Sequence, residues 1–207
     1  MEWTARAAEG LPIFPLPRVV LMPGEQLPLH VFEPRYRRLV DHCRAEGVPM
    51  GIATLRPGMD AAGRPKIHPE LGIGQITRHR PLPDGRCDIV VGYVATGCVV
   101  REVESADPFR RVAVSLFPPL ASGTYPPLAG LRSMALQVAA RVGPALDTSA
   151  WTELRREAWL HAAARAFLAD ADARRAYLVA ASGADRAALV SVALAGLIEH
   201  VVPAVED

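Results

Sequence analysis

Lysine is almost missing from this chain. Of 23 basic residues, one, Lys66, is a lysine and the rest are arginine. A Ser-Lys dyad would have to use that side chain, and it sits in GRPKIHPE, with no glycine-rich loop before it and no helical pattern after it. The GxxxxGK-S/T phosphate loop is also absent, which excludes ordinary nucleoside-triphosphate chemistry. Arginine bias beside abundant alanine is read most simply as a GC-rich genome, of bacterial type, and carries no chemistry of its own.

Cysteine is scarce. Cys43, Cys87 and Cys98 form no CxxC pair and are odd in number. That excludes a disulfide framework or zinc knuckle and points to a reducing, cytoplasmic compartment. The opening MEWTARAAEGLPIF lacks the basic start and continuous apolar core of a signal peptide. The longest apolar run, AALVSVALAGLI (187–198), holds a serine and is too short to cross a bilayer, so no membrane partner is expected. Charge of one sign is lacking too. A formal net charge of +1 gives neither the basic excess of a nucleic-acid surface nor an acidic tail, so nucleic acid is not the expected partner.

Catalytic signatures are equally sparse. HExxH and GxSxG do not occur. The six histidines, at 30, 42, 68, 79, 161 and 200, never fall at i, i+4 on a helix, so no metal and no cofactor are expected. His42 and Cys43 are adjacent on a helical pattern and cannot face each other. GIGQ (72–75) contains GxG but lacks the third glycine and a following helix. It reads as close backbone approach inside a strand.

What remains is an ordinary globular balance, 50 % hydrophobic and 22 % charged over 207 residues, enough for one large domain or two small ones. Five prolines between residues 12 and 28 forbid a helix and allow only short or edge strands. From Leu27 the side chains alternate, Leu29 and Val31 to one side, His30 and Phe32 to the other. Then the period changes. Tyr36, Leu39, Val40 and Cys43 make one apolar helical stripe, with Pro34 at its start, Glu33 capping or charging its N-terminus, and Gly47 as its stop. LPLHVFEPRY (27–36) is therefore a strand-to-helix joint, in which Pro28, Glu33, Pro34 and Tyr36 have structural duties. Only His30, Phe32 and Arg35 are left without one.

VPMGIATL (48–55) reads as a buried strand, followed by a long polar loop over 56–70. LGIGQITRHR, the Asp84-Gly85 hairpin turn, CDIVVGYV, CVVREVES and FRRVAVSLF supply further short strands, with Ile89 and Val91 on one face and Val112, Val114 and Leu116 alternating. FPPLASGTYPPLAG (117–130) marks a boundary, rich in proline and without charge. Beyond it the period is helical. Leu128, Leu131, Ala135 and Val138 stripe one helix, closed by Gly143-Pro144. Asp147, Thr148 or Ser149 caps a second, carrying Trp151, Leu154, Ala158 and His161. A short helix holds Tyr177 and Leu178 and is broken at Gly183. Asp185 opens the last, with Leu189, Val192, Leu197 and Val201. The expected class is α+β: a β subdomain at 1–118 with one inserted helix, a linker at 119–127 and a helical subdomain at 128–207.

Read whole, FPLPRVVLMPGEQLPLHVFEPRYRRLVDHCRAEG resembles the start of the N-terminal, substrate-binding domain of the Lon protease family. The residues that carry the likeness are Phe14-Pro15-Leu16, Pro23-Gly24, Leu27 to His30 and Phe32 to Tyr36. The later IGQI, LPDGR, Gly92 and PFRRVAV follow weaker family features in the same order, and RRAYLVAASGADRAALV fits the family's helical half loosely. One departure stands out: after Gly92 the family usually has an Arg-Phe pair, and this chain runs YVATG.

The resemblance implies a PUA-like β-barrel or sheet followed by a helical bundle, free-standing and without the ATPase and protease domains that follow it in Lon. No catalytic residue is transferable. The implied function is a binding module for unfolded or exposed apolar polypeptide, alone or as a protease adaptor, with His30, Phe32 and Arg35 as candidate contacts. The alternatives are an RNA-binding PUA-like protein, or an enzyme whose site is assembled from distant residues.

Overall fold

In the computed structural model, which describes residues 9–118, 120, 125–142 and 148–201, the β-rich part is organised by one long strand. β5 (Cys87–Val103) pairs along one side with β4 (Pro65–Pro81). Along its other side, the first half pairs with β2 (Gln26–Val31) and the second half with β6 (Arg111–Leu116). β6 continues to β1 (Leu11–Leu16), β1 lies parallel to β3 (Met50–Met59), and β3 pairs with β4. The ring β1-β3-β4-β5-β6 therefore closes, and closure leaves those strands without free edges. β2 stays outside the ring, as an edge strand.

Closure needs bends, and the ladder shows where they are. Register shifts fall at Ile73/Gly74, Ile76/Arg78 and Val99/Arg101, where an extra residue on one strand re-aims it. Gly72 and Gly74 let other chain segments press onto the sheet. A Cβ on Gly72 would lie 2.2 Å from the Leu21 carbonyl oxygen, and one on Gly74 2.4 Å from a Val91 methyl. The reading of GIGQ as close backbone approach holds.

α1 (Pro34–Glu46) buries Tyr36, Leu39, Val40 and Cys43, the expected stripe, with Pro34 in its first turn and Gly47 left-handed at φ 63° as its stop. This face packs with Phe14, Leu21, Ile52, Ile89 and Val91 into one core. Leu11, Ile13, Ala53, Leu71, Ile73, Val112 and Val114 form a second core. Burial pushes the Cys43 thiol up to about 12, so this cysteine is an inert packing group.

Two expectations for this part need correction. The polar loop expected over 56–70 is mostly a hairpin: β3 runs to Met59 and β4 starts at Pro65. Its turn is made by Asp60, whose carboxylate accepts the Ala62 and Arg64 N–H groups at 2.9 and 2.8 Å, and by Gly63 at φ 71°. CDIVVGYV and CVVREVES are one bent strand rather than two. The Asp84-Gly85 turn forms as expected, with Gly85 at φ 79°.

By internal contacts the chain divides into Met1–Pro118 and Pro119–Asp207. In the second unit, α5 (Gly183–Val201) packs against α2 (Ala129–Val142), α3 (Arg156–Phe167) and α4 (Ala171–Val179). Ala135, Val138, Tyr177 and Leu178 are buried as the periodicity predicts. Trp151 and Leu154 precede α3 instead of lying in it, and Ala158 is exposed; the helix buries Trp159, Leu160, Ala163 and Phe167. Trp151, in a short 3-10 turn, still meets Trp159 and Phe167 edge to face. Gly183 begins α5 instead of ending α4. Ser182 is its cap, accepting the Asp185 N–H at 3.1 Å. α5 turns Ala187, Val190 and Leu194 inward, while Val192 is 74 % exposed. Its apolar surface is nearly continuous, so periodicity could not choose the buried face. The Gly143-Pro144 stop and Asp147 lie outside the described residues.

Candidate functional site

The strand-to-helix joint is built as its sequence dictates. Along β2, Leu27 and Leu29 are half-buried and Val31 is buried, while Gln26, Pro28 and His30 are exposed. Phe32, just past the strand, is 60 % exposed, far above the exposure usual for so large an apolar ring. Glu33 keeps an extended backbone at ψ 134°, and Pro34 then sets the helical turn.

Glu33 occupies the cap position without capping. Its side chain accepts no N–H of the helix and instead pairs with Arg35 at 2.8 Å. A glutamate is one methylene longer than the aspartate that usually reaches back, and the neighbouring guanidinium is a stronger partner. Arg35 in turn lies 4.6 Å above the Tyr36 ring, and Tyr36 stacks on Phe14. Burial holds the Tyr36 hydroxyl above its ordinary pKa, with the Arg35 charge opposing.

His30 has firm partners. Its Nδ1 lies 2.7 Å from Asp88, and its Nε2 3.3 Å from an Arg86 nitrogen. Because arginine can only donate, the neutral ring accepts at Nε2 and donates from Nδ1 to Asp88. The His30 hydrogen bond, followed by that from Arg80, holds the Asp88 carboxyl below the usual range. The His30 and Phe32 rings lie roughly parallel, 6.2 Å apart.

These side chains border a groove of about 560 Å3. Phe14, Leu16, Leu29, Tyr36 and Leu55 give it apolar walls, and Phe32 stands at its edge. Arg35, Arg64 and Arg110 add charged groups to the lining, each held by a carboxylate: Arg35 by Glu33, Arg64 by Asp60 and Glu102, and Arg110, itself largely buried, by Glu102. An apolar lining with fixed polar groups suits recognition of an apolar group with polar atoms at its sides.

Of the residues singled out in the sequence, His30, Phe32, Glu33, Arg35 and Tyr36 line this groove, while Pro28 and Pro34 do not. Phe14 and Leu16 belonged to a quoted strand but carried no mark of a groove. Leu55, Arg64 and Arg110 gave no signal, because only the β3-β4 hairpin and the 108–110 segment bring them there. At the departure after Gly92, Tyr93 packs against the α1-side core and its hydroxyl lies 2.9 Å from Thr96 Oγ1, while Val94 is exposed. Among the described residues no group of His, Cys, Asp and Glu is arranged to hold a metal, and no helix is long and apolar enough to cross a membrane.

A ring of five strands with an edge strand and an inserted helix is the fold of a Lon N-terminal domain. The family model for the substrate-binding domain of the ATP-dependent protease La (LON) matches residues 10–150, and the chain belongs to this family. Among solved structures it is similar to the N-terminal domain of a Mycobacterium avium complex Lon protease, at TM-score 0.62 and 14 % identity, covering 90 % of this chain and 98 % of that one. It is also similar to a Lon N-terminal domain protein from Xanthomonas campestris, at TM-score 0.51 and 22 % identity, covering 78 % and 90 %. At such identities the likeness is one of fold. A search of curated proteins found no match.

Proposed function

We propose that this chain is a non-catalytic module that captures exposed apolar segments of unfolded polypeptides in the groove at the β2-α1 joint, and that it can present them to a separate protease. His30, Phe32 and Arg35 are the proposed contact residues. The observation that carries this reading is Phe32: a phenylalanine held 60 % exposed at the edge of an apolar groove by a strand on one side and a proline-started helix on the other. Such a ring gains burial when an apolar side chain enters beside it. Arg35 offers guanidinium N–H groups to the carbonyls of a bound chain. The membership of a substrate-binding family supports a polypeptide ligand.

Binding is expected to be weak, in the micromolar range or above, because ordering a flexible chain offsets most of the apolar gain. The test is photocrosslinking from a benzoyl-phenylalanine placed at position 32. Crosslinks to an unfolded polypeptide, and none to the same polypeptide folded, are the expected result. Equal labelling of both forms would refute the assignment.

A further inference from the structure

A second pocket lies on the β subdomain and shares no residue with the groove. It opens between the last turn of α1 and the middle of β4 as a solvent-facing depression of about 290 Å3. Arg44 reaches it from the helix, and Arg78 and His79 from the strand, next to Gln75 and Thr77. A register shift between Ile76 and Arg78 interrupts the strand's alternation here, the kind of irregularity that re-aims side chains.

Several arginines of this unit are held by a carboxylate. Arg64 and Arg110 share Glu102, Arg80 holds Asp88, and Arg86 holds Asp84. Among the described residues, Arg44 and Arg78 have neither a carboxylate nor a carbonyl partner. The helix C-terminus favours one cation, which accounts for Arg44 in the last turn of α1 but not for Arg78 on the strand. His79 reports the local field: its protonated form is disfavoured, first by burial and next by the Arg44 charge. Asp41 opposes that effect through its charge, yet forms no ion pair with either arginine.

We propose that this pocket binds a phosphate group, free or esterified, between the Arg44 and Arg78 guanidinium groups. Two planar forks, one carried by the helix and one by the strand, match the several oxygens and the double charge of a phosphate better than the single charge of a carboxylate. The Gln75 amide lies on the same wall as a further donor, given up at present to the Gly47 carbonyl over a long 3.4 Å.

The test is a titration of the full chain, followed by the NMR signals of the His79 ring, with inorganic phosphate, phenyl phosphate and acetate at constant ionic strength. Phosphate should shift the ring saturably below about 10 mM, and acetate should not. Arg44→Gln and Arg78→Gln should each weaken phosphate at least about tenfold, the size of one lost charge-assisted pair, while both variants stay folded: the side chains are exposed, and the helix-end charge lost with Arg44 contributes little to stability. Tighter binding of phenyl phosphate would mark an esterified ligand, and equal binding the free ion; either supports the site. No saturable shift, an equal response to acetate, or undiminished affinity in both variants would overturn it.

Discussion

The rings of Phe14 and Tyr36 stack with centroids 4.1 Å apart and planes 16° apart, one from β1 and the other from the first turn of α1. Both are buried, and both face the groove. This contact ties the inserted helix to the barrel and builds the groove wall at once. Tyr36→Ala removes the stack and leaves a cavity, so about 3 kcal/mol of stability should be lost. Urea unfolding at unchanged m-value measures it. A loss below about 1 kcal/mol would mean the helix is held by its other contacts.

Gly74→Ala tests barrel closure. The added methyl would meet a Val91 methyl at 2.4 Å and a Leu21 methyl at 2.7 Å, distances that force strand or segment to move. We expect a destabilisation of about 3 kcal/mol. Gly63→Ala, in the β3-β4 turn where no atom lies within 4 Å of the added methyl, should cost less, through backbone strain at φ 71° alone. Equal losses in the two variants would argue against close packing at Gly74.

Glu33→Ala should barely change stability, by less than about 0.5 kcal/mol, because the carboxylate caps nothing and its pair with Arg35 is exposed. The cap position alone would suggest about 1 kcal/mol. Thermal unfolding separates the two values, and a loss near the larger one would mean that Glu33 reaches the helix N–H groups in solution.

His161 should make the helical unit sensitive to acid. Burial, and next the Arg186 charge, lower its pKa from 6.5 to about 4, while its Nδ1 sits 2.8 Å from the Tyr177 hydroxyl. The unfolded ring thus takes up a proton that the folded ring refuses. Its contribution is complete above pH 6.5, falls as the pH drops toward 4, and amounts to about 3 kcal/mol at most. Urea unfolding at pH 7 and pH 4.5 should show the loss, and His161→Gln should reduce it. An unchanged pH dependence in that variant would remove His161 as the cause.

How much of this was legible beforehand depended on whether local chemistry decided the outcome. The joint was legible because Pro34, Gly47 and the stripe from Tyr36 to Cys43 each act within one turn. The Asp84-Gly85 hairpin was legible for the same reason. The β3-β4 hairpin was not: Pro57, Gly58, Gly63 and Pro65 look like a loop, and only the Asp60 turn and the facing strand keep their flanks extended. The faces of α3 and α5 were misplaced because runs of alanine and valine satisfy several periodicities equally. The groove was legible only on one side. His30, Phe32 and Arg35 stood out as residues without structural duties, whereas Leu55, Arg64 and Arg110 arrive through long-range pairing that no local pattern records.

The most direct measurement of the central claim is an equilibrium titration of a fluorescently labelled, permanently unfolded polypeptide against the wild-type chain and Phe32→Ser. The substitution should leave folding intact, since the ring is 60 % exposed and contributes little to the core. Wild type should bind in the micromolar range and the variant about tenfold or more weakly, the loss expected for one buried aromatic contact. Equal binding by two equally folded proteins, or no binding by the wild type, would contradict the account.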